Sequence, residues 1–190
     1  MIIVPEIYGP AFARLLRIAP DMPLGQGETD ANILNDLRTL HVETAFEPKR
    51  VENRAMAECC FAGVWLYFNY FDTAHTIVQD IPSREASLWH GIIHRRDGDF
   101  WNSGYWFRKA GYHPIFSDLK NHARRITRKV GLNTTTSLLV HQEIWDPLFF
   151  IELVEKSAGS GTPTELTCRQ IQQIEWQLLF EYCFNAAVGE

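Results

Sequence analysis

The sequence predicts an all-α protein, a helical bundle of antiparallel helix hairpins. Most segment boundaries look like helix caps, with Ser, Thr or Asp before an apolar run and Pro or Gly at the ends. Alternation of polar and apolar residues with a period of two, typical of half-buried strands, is scarce. At 190 residues, 46% of them hydrophobic, the chain can bury one core. We therefore expect a single all-helical domain over 1–190, with at least about 60% helix.

The N-terminal residues 1–45 are interrupted by prolines and glycines and are expected to pack on the core as an extension. They have no basic leader and lack the layout of a secretion signal. The longest apolar stretch, 57–70, contains two polar residues and is shorter than the roughly 20 residues that span a bilayer. The four cysteines include no Cys-x-x-Cys pair. We expect a soluble, cytoplasmic protein with reduced thiols and no membrane contact.

Degenerate helical hairpins are predicted over about 53–113. Ser83 is placed to cap a helix that runs to Asp97, and Gly98 can end it in the left-handed conformation. Asp99 can then cap the next helix. Two helices joined by so short a turn should lie antiparallel.

C-terminal helices are predicted over about 146–188. Asp146 precedes a proline at the first helical position, and Thr162 with Glu165 forms a capping box before a long apolar helix. We expect that last helix to close the core. The predicted core includes Trp65, Trp89, Ile93, Phe107, Phe149 and Trp176.

The hairpin resembles a tetratricopeptide-type repeat. Its small, turn and aromatic residues stand at matching places, namely Gly91, Gly98-Asp99-Phe100, Ser103, Phe107, Ala110 and Pro114. A weaker copy upstream contains Ala62 and Ala74, but the offset between the copies is shorter than the usual period of about 34 residues. The resemblance implies paired helices rather than a regular superhelix.

A second resemblance covers more of the chain and combines three segments: AHTIVQ at 74–79, WHGIIHRRDGDFWNSGYWFRKAGYHP at 89–114 and IEWQLLFEYC at 174–183. It is similar to a family of uncharacterised bacterial and fungal proteins with the motif W-H-x-x-x-H-R-x-x-x-D-[FY]-x-N-x-x-Y-W-F-R-x-x-G-x-H-P. This resemblance implies that a site lies in the hairpin, and it implies no particular reaction.

His90 and His94 lie four residues apart, so both imidazoles fall on one face of the predicted helix. An antiparallel neighbour could add His75 and Gln79. We expect both His90 and His94 to be less than a third exposed, with a side chain of that neighbour within about 4 Å. The candidate ligand-binding residues are His75, Gln79, His90, His94, Arg95, Asn102, Tyr105 and Trp106.

Three interpretations of this cluster remain open. It can be a closed hydrogen-bond network that fixes the helix pairing. It can be a pocket for a small polar or anionic ligand, with Arg95 or Arg96 at its mouth. It can also be a metal site, since His-x-x-x-His supplies two ligands and His75, Glu58 or Glu143 could supply a third. Gly91 follows His90, however, so the Glu of the H-E-x-x-H motif is absent.

The sequence thus favours a helical scaffold or interaction module whose His/Asn/Gln-lined pocket binds a small polar ligand or a protein partner. The alternative is a metal-dependent hydrolase that uses the His90/His94 pair with His75. The binding module needs no cofactor, whereas the hydrolase needs a divalent metal ion such as zinc. A homodimer is left open. Catalytic residues are not identified.

Charge is distributed unevenly along the chain. The net charge of −5 does not favour nucleic acid, yet residues 120–129 carry five basic side chains and no acidic one. Such a basic helix can hold phosphates, form a solvated face or pair with acidic residues of the same chain.

Overall fold

The computed structural model describes residues 4–190, and within them it contains helices and no strand, with 67% of residues helical. The all-α prediction is confirmed. A 3-10 helix, Pro5–Tyr8, precedes eleven α-helices: α1 Gly9–Leu16, α2 Leu34–Arg38, α3 Val42–Ala45, α4 Arg54–Tyr67, α5 Phe71–Val78, α6 Arg84–Asp97, α7 Phe100–Ala110, α8 Ile115–Val130, α9 Ser137–His141, α10 Pro147–Ser157 and α11 Pro163–Val188.

The caps of the central hairpin form as predicted. Ser83 Oγ accepts from the Ala86 amide at 3.0 Å, and Asp99 Oδ1 accepts from the Asn102 amide at 3.1 Å. Between the two helices Gly98 adopts φ of +85°, the left-handed conformation in which a side chain is strained. The α6–α7 turn is therefore fixed by local chemistry.

The capping box before α11 forms in part. Thr162 Oγ1 accepts from the Glu165 amide at 3.3 Å, as predicted. The Glu165 carboxylate instead accepts from the Gly159 and Gly161 amides at 3.0 and 2.7 Å, so it orders the preceding loop. Asp146 caps α10 through two amides.

The core lies between α4, α6 and α11. Trp89 of α6 and Trp176 of α11 are fully buried, with ring centroids 6.3 Å apart. Gly63 of α4 permits this approach, because a Cβ there would lie 2.8 Å from the Trp89 ring. Among the predicted core residues, Ile93 and Phe107 are also buried, whereas Trp65 and Phe149 pack at its edge and are only half-buried.

The N-terminal segment packs on α11 through aromatic rings, although residues 1–3 lie outside the described range. Tyr8 meets Phe180 and Phe184 edge-on, with centroids 5.1 and 5.0 Å apart. The four cysteines are buried free thiols. No helix within residues 4–190 is both long and apolar enough to cross a membrane.

Close packing inside the α6–α7 hairpin depends on Gly91. A Cβ there would lie 2.7 Å from the Phe107 ring, and the Gly91 carbonyl accepts from Ser103 Oγ at 2.7 Å. The helix pairing expected from the tetratricopeptide resemblance is present here, while the repeat pattern itself stays a prediction.

Candidate functional site

Three histidines from α5 and α6 converge. His75 lies on α5, and His90 and His94 lie one turn apart on α6, with all three ring centroids within 4.3 to 5.4 Å of one another. One ring nitrogen from each residue lies within 4.8 Å of those from the other two. The predicted contact between α5 and the histidines of α6 is confirmed.

His90 is the most enclosed member of the cluster, with 2% of its surface exposed. Its Nε2 lies 2.8 Å from His75 Nε2, and its ring stacks on Trp106 of α7 with centroids 3.9 Å apart. Burial, followed by the charges of His75 and His94, lowers the pKa of His90 to about 3. The imidazole is therefore neutral at physiological pH.

His94 lies at the side of the cluster nearer to solvent, with its side chain 13% exposed. Asn102 Nδ2 donates to its Nε2 at 3.3 Å, and Asp99 Oδ2 lies 3.8 Å from its Nδ1. Burial and the charge of His75 lower the pKa of His94, although Asp99 and Asp97 oppose this change. Asn102 thus orients a ring that favours the neutral form.

The cluster borders an open cleft of about 720 Å³, which we call the histidine cleft. Its other polar lining groups include three carboxylates, and neither Lys nor Arg is among the lining residues. The lining residues are Gln26, Gly27, Glu28, Thr29, Asn69, Tyr70, Phe71, Asp72, Thr73, His75, Ile93, His94 and Asp97.

One wall of the histidine cleft is a segment without helix, residues 26–29, and Asn69 anchors it. Asn69 Nδ2 donates to the Glu28 carbonyl at 2.8 Å, and Asn69 Oδ1 accepts from Arg96 Nη2 at 2.5 Å. Arg96 also donates to the Leu66 carbonyl at 3.0 Å. Burial and the neighbouring Arg95 lower the pKa of Arg96 to about 9, so it stays protonated at neutral pH.

The arginines predicted at the pocket mouth do not lie there. Arg95 is fully buried and pairs with Glu175 of α11, and Arg96 is fully buried beneath Asn69. Each residue of an α-helix is rotated by about 100° from the previous one, so residues adjacent to His94 point to other faces. The hypothesis of an arginine at the mouth is therefore wrong.

Two further candidates lie outside the cluster. Gln79 is exposed, with a side-chain contact to Asp80, and Tyr105 is 46% exposed, with its ring edge-on to Trp106. Glu58 instead pairs with Arg54, and neither Glu58 nor Glu143 belongs to the group of converging side chains formed by the three histidines. Of the predicted site residues, His75, His90, His94, Asn102 and Trp106 come together.

Sequence reasoning missed the carboxylates of the cleft. Asp72 and Asp97 line it, each three residues from a cluster histidine on the same helix. That spacing places side chains on one helix face and is the signal that could have found them. Gln26 and Glu28 reach the cleft through tertiary contacts of a segment with no periodic pattern.

Comparison of the chain with protein-family models, with curated proteins and with solved structures gives no match.

Proposed function

We propose that the protein binds a divalent transition-metal ion through His75, His90 and His94 and presents it to a small polar ligand in the histidine cleft. The observation that carries this proposal is the convergence of three ring nitrogens within 4.8 Å. In a tetrahedral site, two Zn–N bonds of 2.0–2.1 Å hold their nitrogens about 3.3 to 3.4 Å apart. The 2.8 Å between His75 Nε2 and His90 Nε2 is the length of a hydrogen bond between the two rings, so an ion would replace that bond and move the nitrogens about 0.5 Å further apart.

The protonation states support a metal ligand role. Metal-bound imidazole is neutral, and the pKa values of His90 and His94 are lowered in the folded protein. Trp106 stacks on the His90 ring and Asn102 bonds the His94 ring, so both imidazoles are held in position.

A closed hydrogen-bond network is the competing interpretation, and the 2.8 Å contact between the Nε2 atoms of His75 and His90 fits it. Within residues 4–190, no protein group bonds to the buried His90 Nδ1, so the network is incomplete at that atom. A buried polar atom without a partner costs about 1–3 kcal/mol, and an ion bound at His90 Nε2 would leave that cost in place, so the metal titration below decides between the two interpretations.

Electrostatics favour a cation in this cleft. Glu28, Asp72 and Asp97 line it without any lysine or arginine, and the local potential should attract a divalent ion. His75 and His94 also line the cleft, so an ion held by the cluster would face the cleft.

Metal-assisted hydrolysis is the second candidate function. Three protein ligands with an open position are typical of catalytic zinc sites, where the ion lowers the pKa of a bound water to about 7. Asp72 and Asp97 are the carboxylates nearest in sequence to the ligands and could accept a proton in such a reaction.

The metal proposal is tested on protein made without an affinity tag and treated with EDTA. We expect one Zn²⁺ per chain by calorimetry, and a Co²⁺ absorption spectrum of nitrogen coordination. His75→Gln should weaken metal affinity at least about tenfold, because one of three ligands is lost. His141→Gln replaces an exposed histidine outside the cluster and should leave the affinity unchanged.

The proposal fails if folded wild-type protein binds neither ion at millimolar concentration, or if both variants weaken binding equally. Circular dichroism of each variant checks that the helices are intact.

A further inference from the structure

A second groove, of about 690 Å³, lies between α8 and α11 on a part of the molecule that the histidine cleft does not use. We call it the basic groove. Its lining residues are His122, Arg125, Ile126 and Lys129 of α8 with Gln170, Gln173 and Ile174 of α11. None of them lines the histidine cleft.

The basic groove carries positive charge without a neutralising partner. His122, Arg125 and Lys129 are three and four residues apart, so they share one face of α8. Within residues 4–190, no carboxylate lies within 4.0 Å of the charged groups of Arg125 or Lys129. The groove lining also contains no acidic residue.

Other basic residues of α8 have structural roles. Lys120 Nζ donates to the Glu143 carbonyl at 2.6 Å, and Arg124 donates to the Gln142 carbonyl, so both hold the loop after α9. Among residues 4–190, the Arg125 side chain instead bonds only the ring of His122, at 3.1 Å. Its guanidinium keeps further donors for another acceptor.

The groove matches the chemistry of a phosphate group on a small organic molecule. A guanidinium and an ammonium supply charge, and Gln170 and Gln173 face them from α11 with amide donors. Ile126 and the buried Ile174 add apolar surface for the rest of such a molecule.

We propose that the basic groove binds a phosphorylated small molecule, such as a sugar phosphate or a nucleotide. Arg125 and Lys129 contact the phosphate. The two clefts would then bind ligands of opposite charge, and this proposal does not depend on the metal site.

Phosphate binding in the basic groove is tested by calorimetry at low ionic strength with EDTA present. The probes are inorganic pyrophosphate, glucose 6-phosphate and adenosine monophosphate. We expect at least one probe to bind with a stoichiometry of one. Arg125→Gln should weaken that binding about tenfold or more, since a charge-assisted hydrogen bond is lost. Arg125 is exposed, so the variant should fold.

Arg128→Gln is the matched control. Arg128 is exposed on the same helix, and its substitution by glutamine removes the same charge. Arg128 does not line the groove, however. We expect it to weaken binding less than about twofold at a fixed salt concentration, the cost of a screened charge. His75→Gln should have no effect on phosphate binding.

Three results would overturn the proposal. One is the absence of binding of any probe to the wild-type protein. Another is an equal loss in Arg125→Gln and Arg128→Gln, which would indicate a diffuse basic surface. The third is binding of single- or double-stranded oligonucleotides without binding of the small phosphates, which would indicate a polymer-binding face.

Discussion

The histidine cleft and the basic groove have similar volumes, about 720 and 690 Å³, but opposite charge. One is lined by carboxylates and imidazoles without lysine or arginine, and the other by basic groups without a carboxylate. The difference shows that a net charge of −5 says little about any single site. Each surface selects ligands through its own lining groups.

The two regions also differ in how firmly their polar groups are held. His90 is buried against Trp106, and His94 is bonded to Asn102, so the cluster is ordered by neighbouring side chains. Arg125 and Lys129 are exposed. A ligand in the basic groove therefore has to order long side chains, whereas a metal ion meets rings already in position.

The largest effect is expected from breaking the support that both regions share. Arg95 of α6 and Glu175 of α11 form a fully buried ion pair, with Arg95 also 4.7 Å above the Phe150 ring. Glu175→Ala leaves a buried cation without its partner and should lower the free energy of unfolding by about 3–5 kcal/mol. Urea denaturation measures it.

A double variant is the control for this prediction. Arg95→Met with Glu175→Leu removes both charges and retains volume, so it should recover most of the lost stability. A double variant as unstable as Glu175→Ala would mean that lost packing, rather than the unpaired charge, dominates.

A smaller change should separate the two regions. Gly91→Ala introduces a Cβ 2.7 Å from the Phe107 ring and forces α6 and α7 apart. We expect a loss of about 1–3 kcal/mol in stability. Because α7 carries Asn102 and Trp106, metal affinity should fall while phosphate binding in the basic groove is retained.

Gly104→Ala on α7 is the matched substitution. The three atoms nearest to a Cβ at Gly104 all belong to the guanidinium of Arg108, the first at 3.1 Å, and this flexible, exposed side chain can move away. The helix propensity of alanine should leave stability unchanged or raise it by up to about 1 kcal/mol. If both glycine variants were equally unstable, tight packing at Gly91 would not be the cause.

An effect that is spread over several pH units comes from the protonation of His90. Its pKa is about 3 in the folded protein and near 6.5 in the unfolded chain. As pH falls below about 6.5, the unfolded chain therefore takes up a proton that the folded protein does not. Stability should fall with decreasing pH down to about 3, by up to about 1.4 kcal/mol per pH unit.

Urea denaturation at pH 7.5, 6 and 5 in EDTA measures this slope. His90→Gln should reduce the slope by close to the value for one proton, about 1.4 kcal/mol per pH unit, because glutamine does not titrate. An unchanged slope would assign the pH dependence to other groups.

The fold was largely predictable because its signals are local. Ser83, Gly98 and Asp99 each determine a helix end through their own backbone or side chain, and the structure has those ends. The convergence of His75 with His90 and His94 followed from helical spacing and an antiparallel neighbour.

The surroundings of the cluster were less predictable because they depend on tertiary contacts. Helical rotation turns Arg95 away from His94, but its partner, Glu175 of α11, lies 80 residues later in the chain. The cleft wall at residues 26–29 carries no periodic pattern, and its position depends on Asn69. The local sequence around Arg95 does not indicate Glu175 as its partner, and the sequence of residues 26–29 does not indicate Asn69.

The anchoring of that wall has a consequence for proteolysis. Asn69 adopts φ of +65° and joins the Glu28 carbonyl to the buried Arg96, and Gln172 Nε2 donates to the Pro23 carbonyl at 3.0 Å. Residues 23–29 have no helix of their own, yet their attachments reach α6, α11 and the turn between α4 and α5 through groups in the interior. A protease acting there would depend on opening of the helical core, so the digestion rate would report on cooperative unfolding rather than on the looseness of a surface loop.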